Sequence, residues 1–422
     1  MHEHYGIIMD KTVIELFAGV GGFRVGLNNI KEIDKDGKAI ENGVFKFVWS
    51  NQWEPSTKAQ HAFDCYNIRF PDKNNSNIDI ALVNKKKDIP NHTLLCGGFP
   101  CQDYSVARSL SKEKGIEGKK GVLWWQIRDI LAIKKTPFIL LENVDRLTKS
   151  PSKQRGRDFG IILKCLNDLG YAVEWRIINA AEYGLPQRRR RTYIFAYRKN
   201  TLFYKKIRKD TPENVILSNG IFATAFPISK DNIKFTSANL NDYSDLVEFS
   251  DKFAFKFENS GFMAKGIVTT AKTIPQKKNP ITLGQIIETD VDNHFFLSKD
   301  IVEKFKYLRG SKKIKRIDAN GHLYFYSEGA MSEYDDLSLP GRTMLTSEST
   351  TNRSTHIIRD FKTGKLRLLT PIECERLNQF PDNWTNTGMS ERRRYFMMGN
   401  ALVCGIIQIL GIEISKIIDR EK

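Results

Sequence analysis

The sequence predicts an α/β fold, in which helices cover both faces of a largely parallel sheet, with a smaller, irregular, mainly β region attached. Three observations predict it. Short apolar segments typical of buried strands alternate with segments of helical periodicity over residues 12–197. Several of these strands end in glycines or polar residues, and open α/β sheets bind ligands at that edge. After residue 200 the alternation gives way to short apolar runs separated by polar stretches.

Length and charge limit the classes of function. The 422 residues suggest two or three domains, and Lys+Arg of 66 against Asp+Glu of 49 leaves a net charge of +17. Such an excess favours a nucleic-acid partner, with a merely well-solvated basic surface as the alternative. No run of 18 apolar residues occurs, so no membrane span is expected. Six scattered cysteines and an N-terminus without a signal-peptide pattern predict a cytoplasmic protein with no structural metal site.

The first strand, over residues 12–17, runs into a glycine-rich turn at 18–23, and helical spacing follows. This order lets backbone N–H groups approach a ligand at a helix N-terminus. Gly19 and Gly21 match the dinucleotide-binding spacing, but Arg24 replaces its third glycine. A pyrophosphate site, and with it a nicotinamide dehydrogenase, is therefore disfavoured. A nucleoside-type cofactor without a diphosphate and a purely structural turn both remain open.

The next two predicted strands also end in polar residues. Gln52 and Trp53 follow the strand at 44–50, where a ribose and an adenine face would be held in such a sheet. Residues 78–80 are interpreted as a third short strand tip that bears the carboxylate of Asp79. Each residue alone could be an ordinary surface group, whereas polar groups on three successive strand ends indicate a site.

Cys101 follows a sharp change of backbone direction. Residues 94–96 are typical of a buried strand, and the sequence Gly-Gly-Phe-Pro over 97–100 then forces a turn. A thiol displayed on a strand-to-loop turn is where an α/β enzyme would place a nucleophile. A buried structural thiol is the alternative, because free cysteine behaves mostly as a small hydrophobe.

Acidic and basic residues follow at the same predicted edge. Glu142 comes directly after the apolar strand 137–141, so it could meet the substrate of Cys101, or simply be exposed at a strand end. The four arginines 188–191 lie between a proline turn and the strand at 192–197. Their planar, forked donors suit phosphates and base edges.

The second half of the chain predicts a small inserted domain and a closing helix. We expect short strands at 323–326 and 342–346, and a helix that begins after the N-cap residue Ser298. A terminal helix at 405–418 should pack beside the glycine-rich turn. Arg392, Arg393 and Arg394 precede it, either as phosphate ligands or as a solvated basic turn.

Six motifs, in their order along the chain, resemble those of the DNA cytosine-5 methyltransferases that use S-adenosylmethionine. They are Phe17–Gly22, Gly98–Gln102, Glu142–Val144, Gln187–Arg191, Leu368–Asp382 and Met398–Val403. The resemblance implies a Rossmann-like S-adenosylmethionine-dependent methyltransferase sheet. It also implies three parts: a catalytic and cofactor-binding domain at 1–199, a target-recognition domain at 200–365, and a C-terminal segment at 366–422 that returns to the catalytic domain.

The resemblance also implies roles for single residues. Cys101 would attack carbon 6 of cytosine, Glu142 would bind N3 and the exocyclic amine, Arg191 would bind O2, and Arg189 would position the active-site backbone. The implied cofactor contacts come from the glycine-rich turn, the next two strand ends, the proline before the cysteine and the closing motif. They are Phe17, Ala18, Gly19, Gly21, Gly22, Gln52, Trp53, Asp79, Ile80, Pro100, Asn400 and Ala401.

Three positions depart from the family pattern. Gln52 matches the family's ribose-binding acid, so a charge-assisted hydrogen bond is lost unless Glu54 reaches in. Ala401 replaces a serine of the closing motif and removes one polar contact to the cofactor. The residues after Gln102 also differ from the usual Pro-Phe-Ser, which should leave the thiol unaffected.

The implied function is sequence-specific methylation of carbon 5 of a flipped-out cytosine in double-stranded DNA. By resemblance the enzyme would be a bacterial monomer that protects DNA from a companion restriction endonuclease. An RNA cytosine-5 methyltransferase and a catalytically silent DNA-binding protein on the same fold are the alternatives. The large region at 200–365 favours duplex DNA over RNA, and the joint presence of Cys101, Glu142 and Arg191 argues against a silent protein.

Overall fold

A ten-stranded sheet forms the centre of the molecule. The computed structural model describes residues 9–99, 123–318 and 321–421. The strands are β1 Thr12–Leu16, β2 Lys46–Asn51, β3 Asn75–Ser76, β4 Leu94–Gly98, β5 Phe138–Val144, β6 Tyr171–Asn179, β7 Arg190–Arg198, β8 Ile228–Ser229, β9 Phe235–Asn239, β10 Ser260–Ala264, β11 Ile267–Ala271, β12 Ile274–Pro275, β13 Lys312–Ile317, β14 Leu323–Glu328, β15 Ile357–Arg359 and β16 Leu366–Leu368. The helices are α1 Gly22–Leu27, α2 His61–Arg69, α3 Leu123–Lys134, α4 Arg157–Asp168, α5 Leu202–Ile207, α6 Pro212–Asn214, α7 Ile221–Ala225, α8 Leu246–Lys252, α9 Lys299–Arg309, α10 Pro371–Leu377, α11 Glu391–Asn400 and α12 Cys404–Asp419.

The strand order in the central sheet is β3-β2-β1-β4-β5-β7-β6-β10-β11-β9. The five strands from β3 to β5 are parallel to one another, and the remaining pairs are antiparallel. Their carboxyl ends therefore meet at one edge of the sheet, as expected for an open α/β sheet. The α/β prediction is confirmed.

Alternating side chains of the parallel strands feed two separate hydrophobic cores. Val13 and Leu94 point to one core, which α1 and α12 cover, whereas Ile14 and Leu95 point to the other, which α3 and α4 cover. Because both faces are covered, these strands are apolar at nearly every position rather than at every second one. The predicted three-layer arrangement follows from this pattern.

The C-terminal segment packs against the start of the chain. A Cβ at Gly26 would lie 2.5 Å from the Cβ of Ile407, so only glycine allows α1 and α12 to pack this closely. Trp384 Nε1 donates to the carbonyl of Val20 over 2.8 Å and anchors the glycine-rich turn from the far end of the chain. Both contacts join residues that are far apart in sequence, and they hold residues 366–421 against the catalytic half.

The region after residue 200 is irregular and contains small sheets, as predicted, but part of it extends the central sheet. Strands β9, β10 and β11 pair with one another and, through β10, with β6. The remaining strands form three separate pairs, β8 with β12, β13 with β14, and β15 with β16. The division of the chain at residue 200 stays a prediction.

Two predicted strands were wrong, and one predicted helix start is confirmed. The strand after β2 is Asn75–Ser76, and residues 78–80 lie in the turn beyond it. Residues 342–346 form no strand, because their polar groups bond to backbone carbonyls and a side chain of other segments rather than to a neighbouring strand. Ser298 does cap α9, with its Oγ 3.5 Å from the amide of Ile301.

No single helix in the described ranges is long and apolar enough to cross a membrane. Taken together, α11 and α12 reach that length and composition, with a bend of 44° between them. Most residues of α12 lie in the core, where Ile406, Ile407 and Leu410 are fully buried.

Candidate active site

Four parallel strand ends bring several of the predicted site residues to one edge. Leu16 pairs with Asn51 on one side and with Gly97 on the other, so β1 ends between β2 and β4. Gly98 pairs with Glu142, which places the end of β4 beside the glutamate. Glu142 lies inside β5, which continues to Val144, rather than directly after the strand. The glycine-rich turn, Gln52, Phe99 and Glu142 therefore share one edge.

The glycine-rich turn owes its shape to three left-handed residues. Phe17, Gly19 and Gly21 have φ values of 54°, 56° and 90°. A positive φ is costly for phenylalanine and cheap for glycine. The surrounding structure therefore holds Phe17 in a strained conformation, and such strain is common at functional sites. A Cβ added at Gly19 would meet no atom within 4 Å, so the turn faces open space there. This opening lies where a ligand would be held at the end of β1.

A buried glutamate, Glu15, stabilises the glycine-rich turn through hydrogen bonds. Glu15 accepts hydrogen bonds from the amide of Phe23 over 3.2 Å and from the Tyr66 hydroxyl over 3.0 Å. Burial raises the pKa of Glu15 to about 7, and these hydrogen bonds and the charge of Arg24 offset part of that rise. Ala18 and Gly22 continue the turn; Ala18 donates to Asn51, and Gly22 packs against Leu402.

Three predicted site residues follow the end of β2, and the first of them contacts the glycine-rich turn. Gln52 Oε1 accepts from the amide of Gly19 over 2.8 Å, so this side chain braces the turn. Trp53 is 39% exposed. Glu54 Oε2 is buried and lacks a hydrogen-bond partner, and burial raises the pKa of this carboxyl. A buried carboxylate oxygen with no partner within the described chain is a candidate acceptor for a hydroxyl of a nucleoside cofactor.

The positions of the other predicted cofactor residues give less indication of a role in cofactor binding. Asp79 is half-buried and its Oδ1 accepts from the amide of Ala81 over 2.9 Å, whereas Ile80 is buried. Asn400 ends α11 and is exposed, and Ala401 follows it. Their roles stay predictions.

Cys101 and Pro100 lie outside the described residues. The chain just before them is held firmly, because the Asn143 side-chain amide donates to the carbonyl of Phe99 over 2.8 Å. Asn143 itself is buried and follows Glu142 directly. Burial raises the pKa of the neighbouring Cys96 thiol well above its usual range, so Cys96 is poorly suited to act as a nucleophile.

Glu142 and Arg191 form an ion pair at this edge. Glu142 Oε1 lies 3.0 Å from Arg191 Nε, and the two side chains are 15% and 16% exposed. Burial raises the pKa of Glu142, whereas the charges of Arg191 and Arg189 lower it, and the net direction is upward. The Glu142 carboxyl therefore stays protonated to a higher pH than the carboxyl of an ordinary glutamate. This suits a group that must donate a proton to a substrate.

The other motif arginine points into the protein. Arg189 donates to the carbonyls of Met344 over 3.0 Å and Gly399 over 2.9 Å. Burial lowers its pKa to about 9, which still leaves it charged at neutral pH. Contacts of this kind suit the positioning role that the sequence predicts, not contact with a substrate.

Gln187 extends this internal network. Its Nε2 donates to Asn378 over 2.9 Å, and its Oε1 accepts from the amide of Met344 over 3.2 Å. Asn378 in turn donates to the carbonyl of Met398 over 2.8 Å. The Gln-x-Arg-x-Arg motif therefore joins the catalytic edge to both later segments of the chain.

Sequence reasoning assigned no role to several of these residues. A carboxylate within an apolar strand was the signal for Glu15, and an amide next to a candidate acid was the signal for Asn143. Gln187 and Asn378 lie in quoted motifs, but Gln187 is 157 positions from Met344 and 191 positions from Asn378. No local pattern could have paired them.

Comparisons with known proteins agree with this geometry. The family model of the C-5 cytosine-specific DNA methylases matches residues 11–416. The type II methyltransferase M.Sau3AI of Staphylococcus aureus is 54% identical over 407 residues, which cover 96% of this chain and 95% of that protein. M.NgoBI of Neisseria gonorrhoeae is 36% identical over 213 residues, covering 50% of this chain and 58% of that protein.

A solved structure shares the fold. The crystal structure of a DNMT2 variant from Spodoptera frugiperda superposes with a TM-score of 0.57 at 16% identity and covers 96% of this chain and 99% of that one. The central sheet thus has the S-adenosylmethionine-dependent methyltransferase fold. The chain belongs to the C-5 cytosine-specific DNA methylases, enzymes that transfer a methyl group from S-adenosylmethionine to carbon 5 of cytosine in DNA.

Proposed function

We propose that the chain is the modification methyltransferase of a type II restriction-modification system, with Cys101 as nucleophile and Glu142 and Arg191 as the groups that hold the target cytosine. The observation that carries this proposal is the partly exposed Glu142–Arg191 pair. It lies on β5 and β7, directly beside the strand that leads through Phe99 to Cys101. The names of the related type II methyltransferases support the cellular role.

The chemistry requires carbon 5 of an aromatic ring to become nucleophilic. Attack by the Cys101 thiolate forms a bond from sulfur to carbon 6, and the electrons of the 5,6 double bond then make carbon 5 enamine-like. Glu142 stabilises the adduct by donating a proton toward N3. Arg191 keeps Glu142 in place through Nε, and its remaining N–H groups can bind O2 of the base.

S-adenosylmethionine, when bound, supplies an electrophilic methyl group to carbon 5. The chain's own residues would orient it: the open turn at Gly19, the carboxyl of Glu54 and the exposed ring of Trp53 are suited to hold its ribose and adenine. Loss of the proton from carbon 5 then restores the double bond and releases the Cys101 sulfur. Because carbon 5 is unreachable inside a stacked duplex, the cytosine must be flipped out.

The experiment is a labelled-methyl transfer assay on unmethylated duplex DNA and on tRNA with wild-type protein, Cys101→Ala and the control Cys165→Ala. Cys165 is a buried thiol of α4, within the core away from the catalytic edge. We expect transfer to duplex DNA only, its loss in Cys101→Ala, and retained activity in Cys165→Ala. Transfer by Cys101→Ala, or transfer to tRNA alone, would overturn the proposal.

We also propose that the enzyme acts as a monomer and that a companion endonuclease cleaves the same site. Bisulfite sequencing of DNA from cells that express the protein should reveal one methylated sequence. DNA modified in this way should resist the partner endonuclease, and light scattering should give the mass of a single 422-residue chain. Methylation scattered over unrelated sequences would contradict a restriction-modification role.

A further inference from the structure

A two-stranded ribbon stands apart from the central sheet. Strands β13 and β14, Lys312–Ile317 and Leu323–Glu328, pair with each other in antiparallel register and with no other strand of the described chain. An isolated two-stranded hairpin is marginal in water, so both its position and its order require contacts at its base. We call this element the 312–328 ribbon.

One face of the ribbon is uncovered from end to end. Directly paired residues of an antiparallel ribbon share a face, and every second residue lies on the same side. Six exposed side chains make up this face: Lys313, Lys315, Ile317, Leu323, Phe325 and Ser327. The ammonium of Lys313 lies 4.9 Å from the centre of the Phe325 ring. The face is cationic and apolar, and it carries no acidic residue.

The opposite face fixes the ribbon to the protein at its base. Glu328 forms an ion pair of 2.6 Å with Arg353, and the Lys312 ammonium lies 4.4 Å from the Tyr307 ring centre. Arg309, which ends the helix before the ribbon, is buried and bonds to Asp335 over 2.9 Å. The uncovered face is therefore presented by a fixed base.

The base is connected to the catalytic edge by a chain of contacts. Asp335 also binds Arg342 over 3.1 Å. Gly341, next to Arg342, accepts from the amide of Arg188 over 2.7 Å. Arg188 lies within the motif whose last residue is Arg191, the partner of Glu142. The base of the ribbon is thus connected to the motif that ends at the Glu142–Arg191 pair.

The charge of the ribbon indicates which kind of partner this face binds. The ribbon carries four cations, Lys312, Lys313, Lys315 and Arg316, while its Glu328 is neutralised by Arg353 and Asp318 is paired with His322. A two-stranded β-ribbon has the width to enter the major groove, and lysines beside it can reach phosphates. We propose that the 312–328 ribbon is a duplex-DNA contact surface, with Lys313 and Lys315 on phosphates and the apolar side chains against the groove.

This surface should contribute affinity more than sequence choice. Lysine is a point charge that binds phosphate without distinguishing bases. Ile317, Leu323 and Phe325 carry no hydrogen-bonding group with which to read base edges. Removing the two lysines should therefore weaken binding to target and non-target duplexes alike.

The inference rests on the proposed DNA methyltransferase function, and the test separates the two. The full-length variant Lys313→Ala/Lys315→Ala is compared with Lys205→Ala/Lys209→Ala. The control removes two exposed lysines just after β7, at the edge of the sheet opposite the catalytic one. Affinity for a fluorescein-labelled mixed-sequence duplex is measured over a range of salt, and methylation of unmethylated genomic DNA is measured at saturating DNA.

We expect the ribbon variant to bind about tenfold more weakly, to lose about two from the slope of log affinity against log salt, and to keep the wild-type kcat. The control should differ from wild type by less than about twofold. Equal affinities and slopes for the two variants, or a loss confined to kcat, would overturn the assignment while DNA methylation by wild type stands. A wild-type protein that methylates no DNA would instead refute the proposed function. If light scattering shows that the wild-type protein and the control are dimers and that the ribbon variant is a monomer, the face binds a second copy and the DNA assignment fails.

Discussion

Two glutamate–arginine pairs in this molecule have the same chemistry and opposite surroundings. Glu373 and Arg367 are completely buried, and Glu373 accepts from both Nη groups of Arg367 and from the amides of Thr370 and Glu288. Glu142 and Arg191 are partly exposed and share a single contact of 3.0 Å within the described chain. The first carboxylate has all its acceptor positions used, whereas among the residues that the structure describes the second keeps most of them free.

This difference distinguishes a structural pair from a functional one. A buried carboxylate is tolerated when hydrogen bonds replace the lost water, and Glu373 meets that condition while closing the capping box of α10. Glu142 does not meet it, and burial leaves its pKa raised. Unused acceptor positions at a strand edge are what a group needs if it is to bind a substrate. Changes at the two pairs should therefore affect different measurements.

The largest effect is expected from Glu142→Gln. Glutamine keeps an oxygen for Arg191 but loses the acidic proton, so kcat should fall by about a thousandfold. The free energy of unfolding should change by less than about 1 kcal/mol. The charge that loses its partner is that of Arg191, and this side chain is partly exposed. Single-turnover methyl transfer and urea unfolding test the two halves of this prediction. If the Glu142→Gln protein remains active, another residue must donate the proton.

Arg367→Ala should give the reverse pattern. It leaves the fully buried Glu373 without its arginine, and breaking such a pair costs about 3–5 kcal/mol of unfolding free energy. The matched change Arg191→Ala should cost less than about 1 kcal/mol in stability but abolish most methyl transfer. Urea titrations on both variants, with wild type alongside, decide this. Comparable destabilisation by the two changes would show that exposure does not separate the pairs.

Glu15 extends the comparison to a buried glutamate without a bonded arginine. Its folded pKa of about 7 exceeds the ordinary 4.5, so between these values the folded state binds more protons than the unfolded state. Stability from this group is therefore lost as pH rises from about 4.5 to about 7, by roughly 3 kcal/mol. Glu15→Gln should flatten the decline in this range, as measured by urea unfolding at several pH values. An identical pH dependence in the variant would mean that Glu15 is ionised throughout.

Arg189→Lys should have the smallest effect. Lysine keeps the charge but cannot reach both carbonyls in the planar geometry of the guanidinium, so stability should fall by about 1–2 kcal/mol. As a positioning residue, Arg189 should mainly raise KM for DNA, because its partners Met344 and Gly399 belong to the later segments. Steady-state kinetics would show a kcat effect larger than the KM effect if Arg189 instead touched the substrate.

Local patterns were sufficient for the elements that carry their own signal. The alternating strands and helices, the glycine-rich turn and the Ser298 cap follow from side chains within a few positions of one another. The residues at 78–80 and 342–346 show the limit of this approach. Both have strand-like composition, but their polar groups bond within a turn or to distant backbone and side-chain groups instead of a strand ladder.

The amino-acid sequence was enough to predict the α/β class, the order of the motifs and the edge at which the end of β4 lies beside Glu142, because parallel strands must end together. Only the folded chain shows that Arg191 faces Glu142 while Arg189 faces inward. It also shows that Gln52 braces Gly19 and that Trp384 holds Val20. These choices depend on partners supplied by remote segments, and the free energy of each contact exists only once those segments have packed together.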